Sequence, residues 1–211
     1  MQIVIAGGHG QIAMLMHPLL VERGHSVGGL IRNPTQEAAV RRAGAEPVIC
    51  DLEAEGDISD AVGEADAVVF AAGAGPGSGA ARKTTMDRDG AIKLIEAARR
   101  NGVRRYIMIG AMHAEEPRGD EVFRVYLQAK SEADKALRES GLDYTIVRPG
   151  RLTDDAGTGM IRAAAALPIG EIPRADVAVV VAEVLETAST IGRQFDLISG
   201  EHPIVEALAS L

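Results

Sequence analysis

The sequence predicts an α/β fold in which a doubly wound parallel sheet of about seven strands lies between two layers of helices. Short apolar runs alternate with longer helical patterns from one end of the chain to the other. The short runs are apolar on both faces, which is typical of strands in a parallel sheet covered on both sides. The length of 211 residues, with 46% hydrophobic and 25% charged residues, fits one globular domain.

Seven short apolar runs are interpreted as strands, each bounded by turn residues or polar residues. They cover residues 2–6, 26–31, 46–50, 67–71, 105–109, 144–148 and 194–198. Helices are predicted over residues 11–23, 35–43, 57–62, 82–101, 121–140, 175–187 and 203–211. In the first helix the apolar positions 12, 15, 16, 19 and 20 form one stripe, and Pro18 predicts a kink or a break.

Caps and glycines set the helix boundaries. Thr35 is expected to cap helix 35–43, and Asp57 to cap helix 57–62. Gly102 and Gly141 are expected to end the two long helices. The glycine-rich stretch 72–81 (AGAGPGSGAA) follows a strand, so we expect a mobile loop there rather than a domain boundary.

The charge balance narrows the range of partners. Lys and Arg number 22 and Asp and Glu number 30, so the formal net charge is −8. Because nucleic acids and anionic membranes favour a basic surface, we expect neither as a partner. No apolar run approaches the roughly 18 residues of a spanning helix, and the N-terminus lacks a basic targeting region. A cytoplasmic protein is therefore expected.

Cysteine and histidine usage argues against a metal site. The single cysteine, Cys50, excludes an intramolecular disulfide and a cysteine-based zinc site. The five histidines do not have the spacing of metal ligands. No metal is predicted.

A glycine-rich turn, GGHGQIA from Gly7 to Ala13, follows the first strand and opens the first helix. Gly7 can make the tight turn, Gly10 lets the backbone approach a pyrophosphate, and the helix start supplies N–H groups. In this context the motif predicts a three-layer α/β/α Rossmann fold that binds a dinucleotide. The alternative is that the glycines only form a turn. The residues expected to contact the cofactor are Gly7, Gly8, His9, Gly10, Gln11 and Ile12.

The end of the second strand indicates which dinucleotide is bound. Folds of this type that prefer NAD(H) place an acid there for the ribose 2′-hydroxyl. This chain has Arg32, followed by Asn33. A guanidinium can hold a 2′-phosphate through two hydrogen bonds, so the sequence predicts NADP(H) in preference to NAD(H). The alternative is a solvated surface arginine.

Asp51 and Leu52 follow the third strand. There a carboxylate can accept a hydrogen bond from the adenine amino group while a leucine packs against the ring. The alternative is a loop aspartate that caps the next turn.

Tyr126 and Lys130 form a Tyr-x-x-x-Lys pattern on a predicted helix. The i, i+4 spacing puts both side chains on one face. An ammonium beside a phenol favours the phenolate and is expected to lower the tyrosine pKa, which suits a general acid or base.

With these features the chain resembles the short-chain dehydrogenases/reductases. Within them it is similar to the atypical branch of small NAD(P)H-binding, NmrA-like proteins that are named as NAD-dependent epimerases/dehydratases. The resemblance covers nearly the whole chain. It rests on the segments GGHGQIA, FAAG, MDRDGAIKLIEAAR, YLQAK, LDYTIVRPG and IPRADVA.

The resemblance implies roles for individual residues. Tyr126 and Lys130 match the catalytic pair, and Asp87 falls where the wider superfamily has an active-site Asn. Pro149-Gly150 matches backbone near the nicotinamide. Beyond the glycine turn and the strand ends, cofactor contacts are implied for Ala71, Ala72, Gly73, Lys130, Pro149 and Gly150.

The chain departs from the family after the fifth strand. The usual serine should lie within residues 107–112, where this chain has Gly110 and Ala111. Neither side chain can donate a hydrogen bond to a substrate carbonyl. His113 is a candidate replacement, or else a solvated loop residue. The charged segment 113–121 is either solvated or a lid over the nicotinamide.

We expect one NAD(P)-binding domain over residues 1–211. Residues 151–175 and 199–211 are expected to add a small annex on the substrate side. By analogy with related proteins, the helices 82–101 and 121–140 are candidate faces for a homodimer.

Three functions are compatible with the sequence. The first is an NADPH-dependent oxidoreductase acting on a small carbonyl, enone or quinone-like substrate, or an enzyme of epimerase-like chemistry, with Tyr126 as acid/base. The second is a non-catalytic NADP(H)-binding sensor or regulatory module, favoured by the missing serine. The third is a flavin or tetrapyrrole reductase in which Tyr126 has no role.

Overall fold

A computed structural model describes residues 1–54, 56–75 and 77–211. Within these residues nine strands form a central sheet, and two more form a small second sheet, β7 with β9; along the central sheet the order is β11-β8-β10-β6-β5-β4-β1-β2-β3, with the strands numbered along the chain and bounded as follows. The strands are β1 (Gln2–Ala6), β2 (Ser26–Ile31), β3 (Glu46–Ile49), β4 (Ala67–Phe70), β5 (Arg105–Ile109), β6 (Asp143–Pro149), β7 (Arg151–Thr153), β8 (Met160–Ala164), β9 (Glu171–Pro173), β10 (Arg193–Ser199) and β11 (His202–Pro203).

Helices cover both faces of the central sheet. They are α1 (Gln11–Glu22), α2 (Glu37–Arg42), α3 (Ser59–Val62), α4 (Ala80–Arg82), α5 (Ala91–Arg100), α6 (Glu121–Arg138), α7 (Arg174–Glu186) and α8 (Ile204–Ala209). A π-helix over Lys83–Gly90 joins α4 to α5, and 3₁₀ turns cover Pro34–Gln36 and Ala188–Thr190.

The alternation of side chains along β1 explains the two layers of core. Ile3 and Ile5 pack with buried residues of α1 and α7, whereas Val4 and Ala6 pack with those of α5. Each face of the strand therefore buries its own apolar cluster, as expected for a sheet with helices on both sides.

The predicted fold class is confirmed, and the sheet is larger than expected. The seven predicted strands are β3, β2, β1, β4, β5, β6 and β10, which pair in parallel in that order. β8 extends this sheet by pairing antiparallel with β10, and β11 pairs antiparallel with β8.

Several predicted helix details are wrong. The first helix runs through Pro18 from Gln11 to Glu22 without a break. Thr35 does not cap α2. The Asn33 side chain caps the 3₁₀ turn before α2 by accepting from the Thr35 N–H at 3.0 Å, and Gln36, which precedes α2, makes no side-chain cap hydrogen bond within the described residues. The helix predicted over 82–101 divides into α4, the π-helix and α5.

The segments predicted to form the annex contribute β7, β8, β9, β11 and α8. β8 and β11 belong to the central sheet, while β7 and β9 stand apart from it. The predicted loop 72–81 includes position 76, which lies outside the described residues. Among the described helices, none has both the length and the apolar composition required to cross a membrane.

Candidate active site

The turn between β1 and α1 packs backbone against backbone. Gly7 has a φ of 80°, a conformation that glycine adopts most readily. A Cβ atom on Gly8 would lie 2.6 Å from the Cα atom of Gly29 in β2, so only glycine allows this approach. The Gly8 carbonyl accepts a hydrogen bond at 2.7 Å from Nε2 of His17, which is buried in α1. Gly8 therefore allows the turn to pack directly against β2. His17 holds the Gly8 carbonyl in place, and the sequence did not single it out.

The start of α1 is suited to binding an anion. Gly10 precedes the helix, and no side chain caps its first turn. The helix is 12 residues long, so its dipole adds a partial positive charge at this end. Uncapped N–H groups with such a charge form a ready phosphate site. The turn therefore fits the pyrophosphate of a dinucleotide.

Two neighbouring cavities lie along one edge of the sheet in the described residues. The smaller cavity, of about 250 Å³, lies over this turn, beside the carboxyl ends of β1 to β4. Ligands of open α/β sheets bind at this edge, where neighbouring strands lead to opposite faces. The predicted residues that line it are Gly7, His9, Gly10, Arg32, Asp51, Leu52, Ala71, Ala72 and Gly73. Residues that the sequence did not single out also line it, namely Leu30, Ile31, Gln36, Cys50, Arg82 and Met86.

Three predicted cofactor residues do not line either cavity. Gly8 is pressed against Gly29, as described above. Gln11 is the exposed first residue of α1. Asn33 uses its side-chain oxygen to accept from both the N–H and the hydroxyl of Thr35. Asn33 therefore shapes the turn after β2 from outside the cavity.

Two arginines converge on one carboxylate at the edge of the smaller cavity. Arg32 lies 3.3 Å from Glu53, and the Nε of Arg82 donates to the same Glu53 oxygen at 3.0 Å. Thr85 donates its hydroxyl to the other oxygen at 2.7 Å. This cluster gives the cavity two guanidinium groups, of which the sequence predicted only Arg32.

Asp51 has one oxygen occupied by its own turn. Its Oδ1 accepts from the Glu53 N–H at 2.9 Å, which is the local capping role considered as the alternative. The residue still lines the smaller cavity together with Leu52.

A larger cavity of about 730 Å³ continues from the smaller one. The two share Ala71, Ala72 and Gly73, so they form one cleft along the sheet edge. The predicted residues found only in the larger cavity are Ile12, Asp87, Tyr126, Lys130, Pro149 and Gly150. The three predicted catalytic side chains are thus brought together at one end of the cleft.

Lys130 and Asp87 form a buried ion pair. The Nζ atom of Lys130 lies 3.2 Å from Asp87 Oδ1 and donates to the Ile109 carbonyl at 3.1 Å. Asp87 Oδ2 accepts from the Ala74 N–H at 3.1 Å. The side chains are only 5% and 1% exposed. The π-helix carries Asp87 to this position, and such helices are often found at functional sites.

The Tyr126 ring lies beside this pair, with the Lys130 Nζ atom 5.9 Å from its centroid. No hydrogen bond to the Tyr126 hydroxyl occurs within the described residues. Burial raises the pKa of Tyr126, and Asp87 and Asp134 raise it further, although Lys130 lowers it. The expectation of a lowered pKa is therefore wrong, because Asp87 offsets the lysine charge and the phenol is desolvated. A phenol in this state holds its proton at neutral pH.

The pKa of Lys130 is also shifted. Burial alone would lower it, but the Asp87 carboxylate and Tyr126 raise it above the ordinary value. Lys130 is therefore a permanent cation near neutral pH.

Gly110 and Ala111 line the larger cavity without a side-chain donor. A Cβ atom on Gly110 would lie 3.1 Å from Oδ1 of the fully buried Asp134. Burial raises the Asp134 pKa to about 6, although Arg148 opposes this shift. Arg148 donates to Asp134 Oδ2 at 2.9 Å and pairs with Glu115 on its other side. Asp134 is four residues beyond Lys130 on α6, which is the one sequence signal that could have drawn attention to it.

His113 does not line the cavity. Its ring nitrogens lie 2.9 Å from Glu116 Oε1 and 2.7 Å from the Leu167 carbonyl. Its φ is 53°, an uncommon value for a residue with a side chain. His113 therefore joins two loops and leaves the position of the missing serine without a replacement.

A glycine turn of the Rossmann type and a Tyr-x-x-x-Lys pair at the far end of one cleft define a dinucleotide-binding α/β protein. The NAD(P)H-binding family model matches residues 7–188. The chain therefore belongs to this NAD(P)H-binding family, of the atypical short-chain dehydrogenase/reductase type.

Individual relatives agree with this assignment. The chain is 40% identical to a Bacillus subtilis (strain 168) protein named "Uncharacterized sugar epimerase YhfK", over all of both chains. A solved structure named "Putative NAD-dependent epimerase/dehydratase from Bacillus halodurans" matches with a TM-score of 0.95 and 38% identity, over all of both chains. The oxidoreductase ylbE from Lactococcus lactis matches with a TM-score of 0.87 and 27% identity, over 100% of this chain and 96% of that one.

Proposed function

We propose that this protein is an NADPH-dependent reductase of a small carbonyl, enone or quinone-like substrate, with Tyr126 as the proton donor. One observation carries the proposal. Tyr126 lines the larger cavity beside the buried Lys130–Asp87 pair, and its hydroxyl has no hydrogen-bond partner among the described residues. A half-buried proton donor facing a cavity of this size is the arrangement that general acid catalysis requires.

The chain's own residues fit a nicotinamide dinucleotide. The Gly7–Gly10 turn and the uncapped start of α1 would hold the pyrophosphate, and the cavity residues Asp51 and Leu52 would meet the adenine. Pro149 and Gly150 would border the nicotinamide end. When bound in its reduced form, the dinucleotide supplies a hydride.

Tyr126 would donate its proton to the substrate oxygen as the hydride reaches the adjoining carbon. Because the pKa of Tyr126 is raised, the phenol is protonated at neutral pH before the reaction begins. The Lys130 cation would stabilise the phenolate that remains, and Asp87 holds Lys130 in position. We further expect the reaction to run in the cytoplasm, because the single cysteine allows no internal disulfide.

Arg32 and Arg82 support a preference for NADP(H). Both line the smaller cavity, and both already bind one carboxylate, Glu53. A 2′-phosphate at this point would take over hydrogen bonds that the guanidinium groups now give to Glu53.

The test is NADPH oxidation with a panel of quinones, flavins and aldehydes. Tyr126→Phe should lower kcat by about 10²–10⁴-fold, the usual worth of a positioned proton donor. Tyr144→Phe is the matched control, because Tyr144 lies in β6 and lines neither cavity. Turnover that Tyr126→Phe leaves unchanged would remove Tyr126 from the mechanism.

A second candidate function is a non-catalytic NADP(H) sensor. Gly110 and Ala111 favour it, because the family usually has a serine hydroxyl donor at this position and this chain has none there. Tight NADPH binding without turnover of any panel member would support the sensor over the reductase.

A further inference from the structure

Five cationic side chains line the larger cavity within the described residues. Lys130 pairs with Asp87, and the other four divide into two pairs. Arg151 and Arg174 already have carboxylate partners, Glu171 and Asp154 respectively. Lys83 and Arg118 line the same cavity without such a partner in the described part of the chain. This second pair therefore supplies uncompensated positive charge.

The contacts of Lys83 and Arg118 are backbone carbonyls. Lys83 donates to the Gly75 carbonyl at 2.8 Å. Arg118 donates to the carbonyls of His113 and Met112, at 2.8 and 2.9 Å. These neutral acceptors hold the side chains at the cavity without cancelling their charge.

Both cations lie over one pair of aromatic rings. The Phe123 and Tyr126 rings stack with centroids 5.8 Å apart and an interplanar angle of 28°. The Lys83 Nζ atom lies 5.4 Å from the Tyr126 centroid, and the Arg118 Cζ atom lies 5.7 Å from that of Phe123. Cations held over ring faces remain charged and are fixed in direction.

Asp87 is the one carboxylate among the described residues that line the cavity, and neither Lys83 nor Arg118 pairs with it. The third cation near Tyr126 is Lys130, which Asp87 already compensates. The whole chain carries a net charge of −8, so this end of the cleft differs in sign from the average of the protein. A local excess of one sign attracts the opposite sign to a site and repels the same sign.

Two exposed apolar side chains also line the cavity. Phe123 and Ile169 line the cavity with 39% and 69% of their surfaces exposed. Exposed apolar side chains beside a cavity gain free energy when a ligand covers them.

We propose that the substrate of this site is an organic anion, with a flat apolar body and a carboxylate or phosphate group that Lys83 and Arg118 bind. The inference rests on the reductase function proposed above and names its substrate class. The anionic group would lie at the Lys83 and Arg118 side of the cavity, and the apolar body would pack along Phe123 toward Tyr126.

Matched ligand pairs test this proposal by binding rather than by turnover. The full chain is saturated with NADP⁺ and titrated with FMN and riboflavin, followed by flavin fluorescence. A second titration uses 4-carboxybenzaldehyde and benzaldehyde, followed by calorimetry. Within each pair only the anionic group differs, and we expect the anionic member to bind at least about tenfold more tightly.

Variants assign the preference to the two cations. Lys83→Gln and Arg118→Gln should each reduce the preference for the anionic member, and Arg118→Lys should keep most of it. Arg124→Gln is the matched control, because Arg124 is exposed on α6 and lines neither cavity. High salt should reduce the preference in the parent protein, because it screens exposed charges.

The outcomes separate this inference from the proposed function. An anionic preference without NADPH turnover would support the ligand class and overturn the reductase. Equal binding within both pairs, no binding of either anionic member, or a preference that survives in the double Lys83→Gln, Arg118→Gln variant would overturn the inference, whatever the turnover.

Discussion

The two ends of the cleft are built in different ways. The phosphate end is the end at the β1–α1 turn, which is proposed to hold the pyrophosphate. It is built mainly from backbone, with Gly7 and Gly8 pressed against neighbouring backbone and α1 presenting uncapped N–H groups. The end around Tyr126 is built from charged side chains of distant segments, and Lys130 and Asp87 form an ion pair in the cavity wall. The phosphate end depends on close backbone packing, and the Tyr126 end depends on charge compensation. A different kind of substitution should therefore destabilise each end.

The largest expected effect concerns charge compensation. Lys130→Met leaves the Asp87 carboxylate buried, and its one remaining hydrogen-bond partner among the described residues is the Ala74 N–H. Removing one member of a buried ion pair costs about 3–5 kcal/mol, so the free energy of unfolding should fall by about that amount. Urea unfolding at pH 7.5, followed by far-UV circular dichroism, measures it.

Two controls show whether this loss belongs to the buried pair. Arg32→Met removes a cation at the phosphate end, where the pair with Glu53 is half-exposed and should be worth less than about 1 kcal/mol. Adding Asp87→Asn to Lys130→Met should recover much of the lost stability, because no unpaired charge then remains. Equal losses for Lys130→Met and Arg32→Met would remove the contrast between the two ends.

The next effect concerns backbone packing. Gly8→Ala adds a Cβ atom 2.6 Å from the Gly29 backbone, which cannot rotate away as a side chain could. We expect a loss of roughly 3 kcal/mol in the free energy of unfolding, at the upper end of overpacking costs. NADPH affinity, measured by cofactor fluorescence, should fall with it.

Gly79→Ala is the matched control for this substitution. Gly79 has a φ of −72°, and a Cβ atom there would meet no atom of the described residues within 4 Å. Its effect should stay within about 0.5 kcal/mol. A Gly8→Ala protein as stable as Gly79→Ala would contradict the claim that close backbone packing forms this end.

The difference between the two ends also explains what the sequence could predict. The glycine turn and the pair Tyr126 and Lys130 are local patterns, in which the spacing alone determines where the residues lie. Strands β1, β2 and β5 were predicted with their observed bounds, because each is a short apolar run that ends at a turn or a polar residue. Local patterns of this kind carry most of the phosphate end.

The missed features depend on contacts between distant segments. Arg82 reaches the cleft from α4, and Arg118 reaches it from the loop between β5 and α6. No spacing in the sequence links either residue to Tyr126. β8 and β11 are stabilised by pairing with β10 and with each other, and their own residues lack a clear strand pattern. The pKa of Tyr126 was predicted in the wrong direction because its burial and the nearby Asp87 carboxylate depend on the folded structure and not on local spacing.

Cofactor choice is a finer test of the phosphate end. Arg32→Asp should weaken NADPH binding by roughly 10²-fold, about 2.7 kcal/mol, and leave NADH binding nearly unchanged. Glu53→Gln should act in the opposite direction, because it removes the carboxylate that Arg32 and Arg82 now bind. Calorimetric titration with both cofactors measures the ratio, and equal affinities in the parent protein would contradict the predicted preference.

The smallest expected effect is a pH dependence at the other end. The pKa of the Asp134 carboxyl is about 6, raised by burial above its ordinary value of 3.8. Between these two values the folded protein binds more protons than the unfolded chain, so the free energy of unfolding falls as the pH rises. Asp134→Asn should remove this fall, which is about 2 kcal/mol between pH 4 and pH 7.

Asp143→Asn gives the opposite sign and so tests the direction as well as the size. Its hydrogen bonds with Arg104 hold the pKa of the exposed Asp143 below its ordinary value. That carboxylate therefore stabilises the folded protein above the unfolded pKa and loses this effect as the pH falls through the lowered one. Urea unfolding measures both trends. The difference in stability between Asp134→Asn and the parent should change between pH 4.5 and pH 7.5, and that between Asp143→Asn and the parent should change in the opposite sense between pH 3 and pH 4.5. If Asp134→Asn keeps the parent's pH dependence, Asp134 is not the buried, proton-binding group at the Tyr126 end.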